Sequence, residues 1–303
     1  KIEPGQAAAI PNAFVIPKLH NTDPYIQYRM GMAMAAAPGQ KDRDAEGSAN
    51  GVGKESTWGQ AFAIIDYSGT QEDQINSALL SKNAIKVTAV LQEAGYDAYI
   101  VGGAVRDLLL HIAPKDFDVA TNATPEQVQK LFRKSRLIGR RFQIVHVMFY
   151  GKERPEIIEV STFRAHVQGE DGHIAASGRI LRDNVWGSQA EDATRRDFSI
   201  NAMYYDPRSQ EVIDYHKGFE DARKRVLRMI GDPAARYRED PVRIIRAIRF
   251  SAKLSGLGFK IEGRTAAPIR KSIDLLADVP QSRMFDEMLK LLQTGHALAS
   301  IDQ

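Results

Sequence analysis

Strand-like and helical periods alternate through the middle of the chain, and helical periods alone follow. In residues 83–93, Ile85, Val87, Val90 and Leu91 recur at helical spacing, and Gly95 is placed to stop the helix. AYIVGG (98–103) reads as a short buried strand ending in a glycine pair, and AVRDLLLH (104–111) as a helix starting directly after it. DFDVAT (116–121) is the next strand. Thr124-Pro125-Glu126-Gln127 has a capping threonine, proline at the first helical position and glutamine three residues after the cap, which predicts a helix to about Lys134. Residues 142–150 and 156–163 form two strand-like runs joined as a hairpin by GKERP. The polar, glycine-containing stretch 165–184 predicts a mobile loop. Ser188 and Glu191 form a second capping box, opening a helix toward Arg196. Residues 200–206 and 211–215 read as strands. After VLRMIG (226–231) the period is helical, with Asp240-Pro241 as a strong start for a helix to about Leu254.

The first seventy residues behave differently. Residues 25–37 predict one short helix and 62–67 a short strand, with a loop or linker at 38–57. That linker contains Gly51-Val52-Gly53-Lys54-Glu55. A phosphate-cradling P-loop needs glycine at position 48 and Ser or Thr at 55, where this chain has Ser and Glu, so that reading is rejected. Strands and helices followed by helices alone predict an α+β head and a helical neck. The expected division is an N-terminal extension at 1–71, partly disordered, a catalytic head at 72–228 and a helical neck at 229–303.

Composition narrows the chemistry only slightly. The 303 residues are 43% hydrophobic and 26% charged, with net charge +3. Such a mildly basic balance permits a polyanionic partner without requiring one. Cysteine is absent, which excludes disulfides, thiolate zinc sites and cysteine nucleophiles. No apolar run approaches the ~20 residues of a membrane span, and Lys1 is not followed by a basic-then-apolar leader. The expected compartment is the cytoplasm, without direct membrane insertion.

Candidate chemistry centres on Asp116 and Asp118. On a strand these two carboxylates share a face, while Phe117 and Val119 point to the core. Two carboxylates on one face repel unless a cation lies between them, and magnesium suits such a pair. An isolated D-x-D is mostly the polar face of an ordinary half-buried strand. Glu159, alternating with Ile158 and Val160, is the candidate third ligand or simply a solvated glutamate. Gly102-Gly103 at a strand-to-helix turn allows close approach of a phosphate, with Arg106 one turn further on.

In RRDFSINAMYY (195–205), Arg195 and Arg196 suit phosphate oxygens and Asp197 a ribose hydroxyl, or the three form a local ion-pair cluster. In REDPVRIIRAIRF (238–250), Glu239 and Arg243 are i, i+4 neighbours with Arg246 one turn on. Together they offer a base edge both acceptors and donors, or pair along a helix surface. The basic run RKSRLIGRR supplies Arg133, Lys134, Arg136, Arg140 and Arg141 as candidate RNA-backbone contacts, or a solvated face. His146 and His166 have no metal-ligand spacing.

Taken in order, VGGAVRDLLL, KDFDVATNATPEQV, EVSTFR, EDATRRDFSINAMYYD and YREDPVRIIRAIRF resemble the class II tRNA nucleotidyltransferase and bacterial poly(A) polymerase family, across residues 72–300. LIGRRFQIVHVMF and LRDNVWGS resemble its poly(A) polymerase branch rather than its CCA-adding branch. The resemblance implies a polymerase-β-like head, a mixed sheet with flanking helices, followed by the helical neck. It implies Asp116 and Asp118 as metal-binding residues, with Asp197 in the active site. Gly102, Gly103 and Arg106 match its triphosphate turn, and Arg195, Arg196 and Asn201 its nucleotide-contacting stretch. Glu239, Asp240, Arg243 and Arg246 match the motif that reads the incoming base. Two Mg2+ ions, ATP and RNA 3′ ends are the implied cofactors and partners, with RNA-decay proteins among expected contacts. The expected activity is template-independent addition of AMP to RNA, with CCA addition to tRNA or non-catalytic RNA binding as alternatives. Residues 1–70 do not match the family, and the family continues beyond the position of Gln303, so a shortened neck is expected.

Overall fold

The computed structural model describes residues 75–139, 143–151, 155–165 and 185–301, and the backbone course of 13–15 and 62–66. The strands are β1 (Ala13–Val15), β2 (Phe62–Asp66), β3 (Ala98–Val101), β4 (Asp118–Thr121), β5 (Ser135–Ile138), β6 (Ile144–Phe149), β7 (Glu156–Thr162), β8 (Met203–Asp206) and β9 (Glu211–Asp214). Among the described residues they form one sheet, ordered β1-β2-β9-β8-β3-β4-β7-β6-β5. It is mixed: β1 with β2 and β4 with β7 are parallel, and the other pairs antiparallel.

Three helices cover one face. Ser81 caps α1 (Lys82–Glu93) by accepting from the Asn83 and Ala84 amides, and Gly95 at φ +86° ends it. α2 (Gly103–Leu109) follows β3 without a linker, and α3 (Pro125–Leu131) carries the expected capping box. Val87, Leu91, Ile100, Val105, Val119, Val128 and Ile158 meet in the resulting core. Each fully buried aliphatic side chain there contributes about 1.5–3 kcal/mol. The opposite face packs Val101, Ala120, Phe163 and Tyr204 under Ala193 of α4 (Gln189–Arg195), whose Ser188–Glu191 box is also present.

The remaining elements are α5 (Gly218–Arg223), β10 (Val226–Leu227), α6 (Pro233–Glu239), α7 (Val242–Leu254), β11 (Lys260–Ile261), α8 (Gly263–Ala266), α9 (Ile269–Ser272), α10 (Gln281–Leu292) and α11 (Ala297–Ile301). One apolar cluster gathers Phe198, Ile200, Leu227, Met229, Tyr237, Ile244, Phe250, Leu254 and Phe259 from both sides of residue 228. Phe198 meets Phe250 edge-on at 5.8 Å.

Several local expectations change. α3 stops at Leu131, because residues 135–138 leave the helical path to pair with β6 as the edge strand β5. β4 starts at Asp118, so Asp116 precedes the ladder, yet the alternation of exposed Asp116 and Asp118 with buried Phe117 and Val119 holds. Residues 199–201 form a 3-10 turn, and only 203–206 of the expected strand is in the sheet. β10 and β11 form a small parallel pair inside the stretch expected to be all helical. α7 starts where expected, but Asp240 does not cap it. The expected helix at 25–37, the linker at 38–57, and residues 166–184 of the expected loop lie outside the described residues.

Candidate active site

The sheet opens on a cleft of about 760 Å³ between the strand ends of the head and the flank of α7. Asp116, Asp118 and the Gly102–Gly103 turn line one wall; Glu239, Asp240, Arg243 and Arg246 line the other. Gly102 has φ +83° and ψ −138°, a backbone setting open to glycine alone. A Cβ built on it would lie 3.8 Å from Asp118 Oδ2 and 3.9 Å from Arg196 Nη1. The glycine turn, a carboxylate and a guanidinium therefore meet at one point.

Asp118 is open to the cleft but walled by protein. Burial of its surroundings, with the neighbouring charges of Glu159 and Asp116, pushes its carboxyl up to about 7 against the opposing pull of Arg196. Parallel register places Glu159 directly beside Asp118, and antiparallel register places His146 beside Glu159 and Arg136 beside His146. His146 Nε2 lies 3.3 Å from Glu159 Oε1. Glu159 thus has His146 of β6 on one side and Asp118 of β4 on the other. Among the described residues, no three His, Asp or Glu side chains close into a metal cage. The expected third carboxylate stands beside the aspartate pair rather than closing around an ion with it. The pair nonetheless fits magnesium, which takes one or two carboxylates and completes its shell with water and phosphate oxygens.

The arginines next to the pair have structural partners. Asp192 is fully buried and binds Arg195 through Oδ1 (2.9 and 2.5 Å) and Arg196 through Oδ2 (3.2 and 3.0 Å), and it accepts the Tyr204 hydroxyl at 2.7 Å. Burial alone would raise the Asp192 carboxyl, but Arg196, Arg195 and Tyr204 hold it well below the usual range. Asp192 fixes both forks and leaves Arg196 Nη1 toward the glycine turn.

Asp197 is paired with Arg246 of α7. Its Oδ2 accepts from Arg246 Nε and Nη2 at 2.8 and 2.5 Å, and its Oδ1 from the Phe198 amide. Arg106 is 1% exposed, tied to Asp107 and, through Nη1, to Asn201 Oδ1 at 2.7 Å. It braces the turn from beneath. Asn201 Nδ2 is buried with no hydrogen-bond partner among the described residues.

At the other wall, Glu239 Oε2 accepts from Arg236 and Arg243. Asp240 receives a two-pronged bond from Arg283 of α10, at 2.8 and 2.6 Å. Arg236, 4% exposed, donates to the carbonyls of Arg195 and Arg196 and so caps the C-terminus of α4 with positive charge. Burial beside Arg243 lowers it to about 10. Arg236, Lys253, Arg283 and Glu287 also line the cleft but carry no signal in the motifs, whereas Arg249 carries one, three residues after Arg246 in REDPVRIIRAIRF. Asp192 had one, since it stands three and four residues before Arg195 and Arg196.

Of the expected RNA contacts, Arg133 and Lys134 line a second cavity of about 620 Å³, where Lys134 lies 5.3 Å from the ring centre of the exposed Tyr150. Arg136 is exposed on β5. Arg140, Arg141 and His166 lie outside the described residues.

The "Poly A polymerase head domain" family matches residues 98–228. The "Probable RNA and SrmB- binding site of polymerase A" family matches residues 258–303. Poly(A) polymerase I of Salmonella typhi is 51% identical over 238 residues, 77% of this chain and 50% of that protein. The chain belongs to the class II tRNA nucleotidyltransferase and poly(A) polymerase family. Within that family, the CCA-adding enzyme of Bacillus pumilus is 40% identical over 211 residues, 70% of this chain and 50% of that protein. The crystal structure of the Bacillus stearothermophilus CCA-adding enzyme in complex with CTP superposes with a TM-score of 0.59 at 37% identity, covering 72% of this chain and 49% of the other. The family assignment agrees with the observed mixed sheet and its helical continuation. The chain spans about half the length of the curated relatives it matches. Among the described residues, no helix is long and apolar enough to cross a membrane.

Proposed function

We propose that this chain carries the nucleotidyl-transfer site of a template-independent poly(A) polymerase. In this reading the 3′ oxygen of an RNA bonds to the α-phosphorus of ATP, the bond from that phosphorus to the β-bridging oxygen breaks, and pyrophosphate leaves. The observation that carries it is the meeting of Gly102, Asp118 and Arg196 at one point of a cleft whose far wall is α7.

The Gly102–Gly103 turn lets phosphate oxygens approach the backbone, and Arg196 Nη1 meets their charge. Asn201 Nδ2 donates to the nucleotide. Asp116 and Asp118 would hold the magnesium ions. Two such ions, when bound, activate the attacking oxygen and stabilise the leaving one. Asp197 acts through Arg246 as a positioning residue. Asp240, Glu239 and Arg243 select the base by its edge. Most of what phosphoryl-type transfer needs is such positioning and charge compensation.

Residues 258–303 and the basic edge at Arg133, Lys134 and Arg136 contact RNA, and RNA-decay proteins dock on the helical part. The compartment is the cytoplasm. The division into extension, head and neck at residues 71 and 228 is part of the same reading. The higher identity to a poly(A) polymerase I than to CCA-adding enzymes favours ATP. CCA addition is the second reading, supported by the 37% identity to an enzyme solved with CTP.

Primer extension on a short single-stranded RNA with magnesium tests both. A long ladder with ATP and little with CTP supports polyadenylation. Limited CTP addition to a tRNA-like end supports the second reading. No extension with either nucleotide points to a chain that binds RNA without catalysis.

A further inference from the structure

Helix α7 carries Arg246, Arg249 and Lys253 down one flank of the cleft, at spacings of three and four residues that place them on one face. Arg246 is matched by Asp197. Arg249 is 12% exposed and reaches Glu287 only at 3.5 Å, and its buried Nε has no hydrogen-bond partner among the described residues. Glu287 is shared at the same time with Arg246 and Lys290, each at 3.5 Å. Half-buried Lys253 makes no hydrogen bond or ion pair with a described residue. Asp197 and Glu287 are thus shared among Arg246, Arg249 and Lys290, and Lys253 pairs with neither. The Phe250 ring is stacked by Arg249 at 4.5 Å, with Arg246 at 5.4 Å and Arg106 at 5.9 Å. Burial and the Arg106 charge push the Lys253 ammonium below its ordinary range, with Asp107 opposing. Packed positive charge of this kind is a cost to the empty protein that a bound anion removes.

The helix also sets a length. Arg243 and Lys253 are ten residues apart, about 15 Å along the axis. Arg243 stands at the end where Glu239 and Asp240 are held. Lys253 lies within electrostatic reach of Arg106, Asp107 and Asp116. The span is comparable with an extended nucleoside triphosphate.

We propose that Arg249 and Lys253 bind the two terminal phosphates of the nucleotide, so that α7 measures the substrate from base to tail. The assignment rests on the nucleotidyl-transfer reading of the cleft. As the 3′ oxygen bonds to the α-phosphorus and its proton passes to water, the electron pair of the broken bond stays on pyrophosphate. The two cations face that growing charge.

The test is equilibrium binding of ATP, AMP and pyrophosphate to the full chain with magnesium and no RNA, comparing wild type with Lys253→Met and Arg249→Gln. ATP and pyrophosphate are expected to bind about tenfold more weakly to either variant, as for loss of one charge-assisted contact, with AMP unchanged. Equal weakening of ATP and AMP, or none, overturns the assignment. Wild type that binds pyrophosphate but not ATP sinks the nucleotidyl-transfer reading and leaves the anion site standing. Binding of neither sinks both. Unfolding without ligand separates a fold defect from a lost contact, because removing an unmatched cation at Lys253 is expected to leave Tm unchanged or raise it.

Discussion

Arg246 of α7 donates twice to a single oxygen of Asp197, at the end of the RRD run, across 49 residues of sequence. The pair is largely buried and joins the glycine-turn wall of the cleft to the α7 wall. Asp197→Asn leaves the guanidinium without its counter-charge. The expected loss is about 3 kcal/mol, as for other broken buried pairs. Urea unfolding measures it, and an unchanged midpoint would show that the bridge holds nothing together.

Asp118→Ala is expected to abolish nucleotide transfer while leaving far-UV circular dichroism intact. Retained AMP incorporation would remove the metal assignment.

The raised Asp118 carboxyl also sets a pH dependence. The native state holds a proton there between about 3.8 and about 7 that the unfolded chain has released, so this group's contribution to stability falls as pH rises through that window. A divalent cation held by Asp118 is expected to reverse the loss. Magnesium is therefore expected to raise Tm more at pH 8 than at pH 5.5, and an equal rise at both would contradict this.

Asp192 works in the opposite sense. Its folded carboxyl lies below its unfolded value, so its stabilisation is complete above pH 4 and fades as pH falls further. Asp192→Asn should cost about 3 kcal/mol at pH 7. The gap to wild type should narrow in acid, as read from denaturant midpoints across pH.

Arg283→Ala frees Asp240 from its two-pronged partner. The ratio of kcat/KM for ATP over CTP is expected to fall about tenfold, or ~1.4 kcal/mol. Equal losses with both nucleotides would make Arg283 merely structural.

Joint replacement of Arg133, Lys134 and Arg136 by Ala should weaken RNA binding and flatten its salt dependence by roughly two to three phosphate equivalents. A fixed slope would place the RNA elsewhere.

Local features were legible in the sequence. Both capping boxes, the glycine turn after β3, the hairpin of β6 and β7 and the start of α7 depend on neighbours within a few residues. The alternation around Phe117 placed both aspartates toward solvent even though the ladder begins only at Asp118. What escaped were pairings across long stretches. Asp240 reads as a helix cap until Arg283, 43 residues on, takes its carboxylate. The bond from Arg106 to Asn201, 95 residues on, is likewise invisible to local spacing. The edge strand β5 was hidden because its four residues alternate too briefly beside a run of charge.

The apolar cluster running from Phe198 and Ile200 to Phe250 and Phe259 has a mechanical consequence. Both walls of the cleft are anchored in it, and Arg236 stitches the same seam through the Arg195 and Arg196 carbonyls. A jaw that swung open would have to tear its own hydrophobic anchor. On the nucleotidyl-transfer reading, substrate is therefore expected to pass through a mouth whose width this cluster holds, rather than through a hinge.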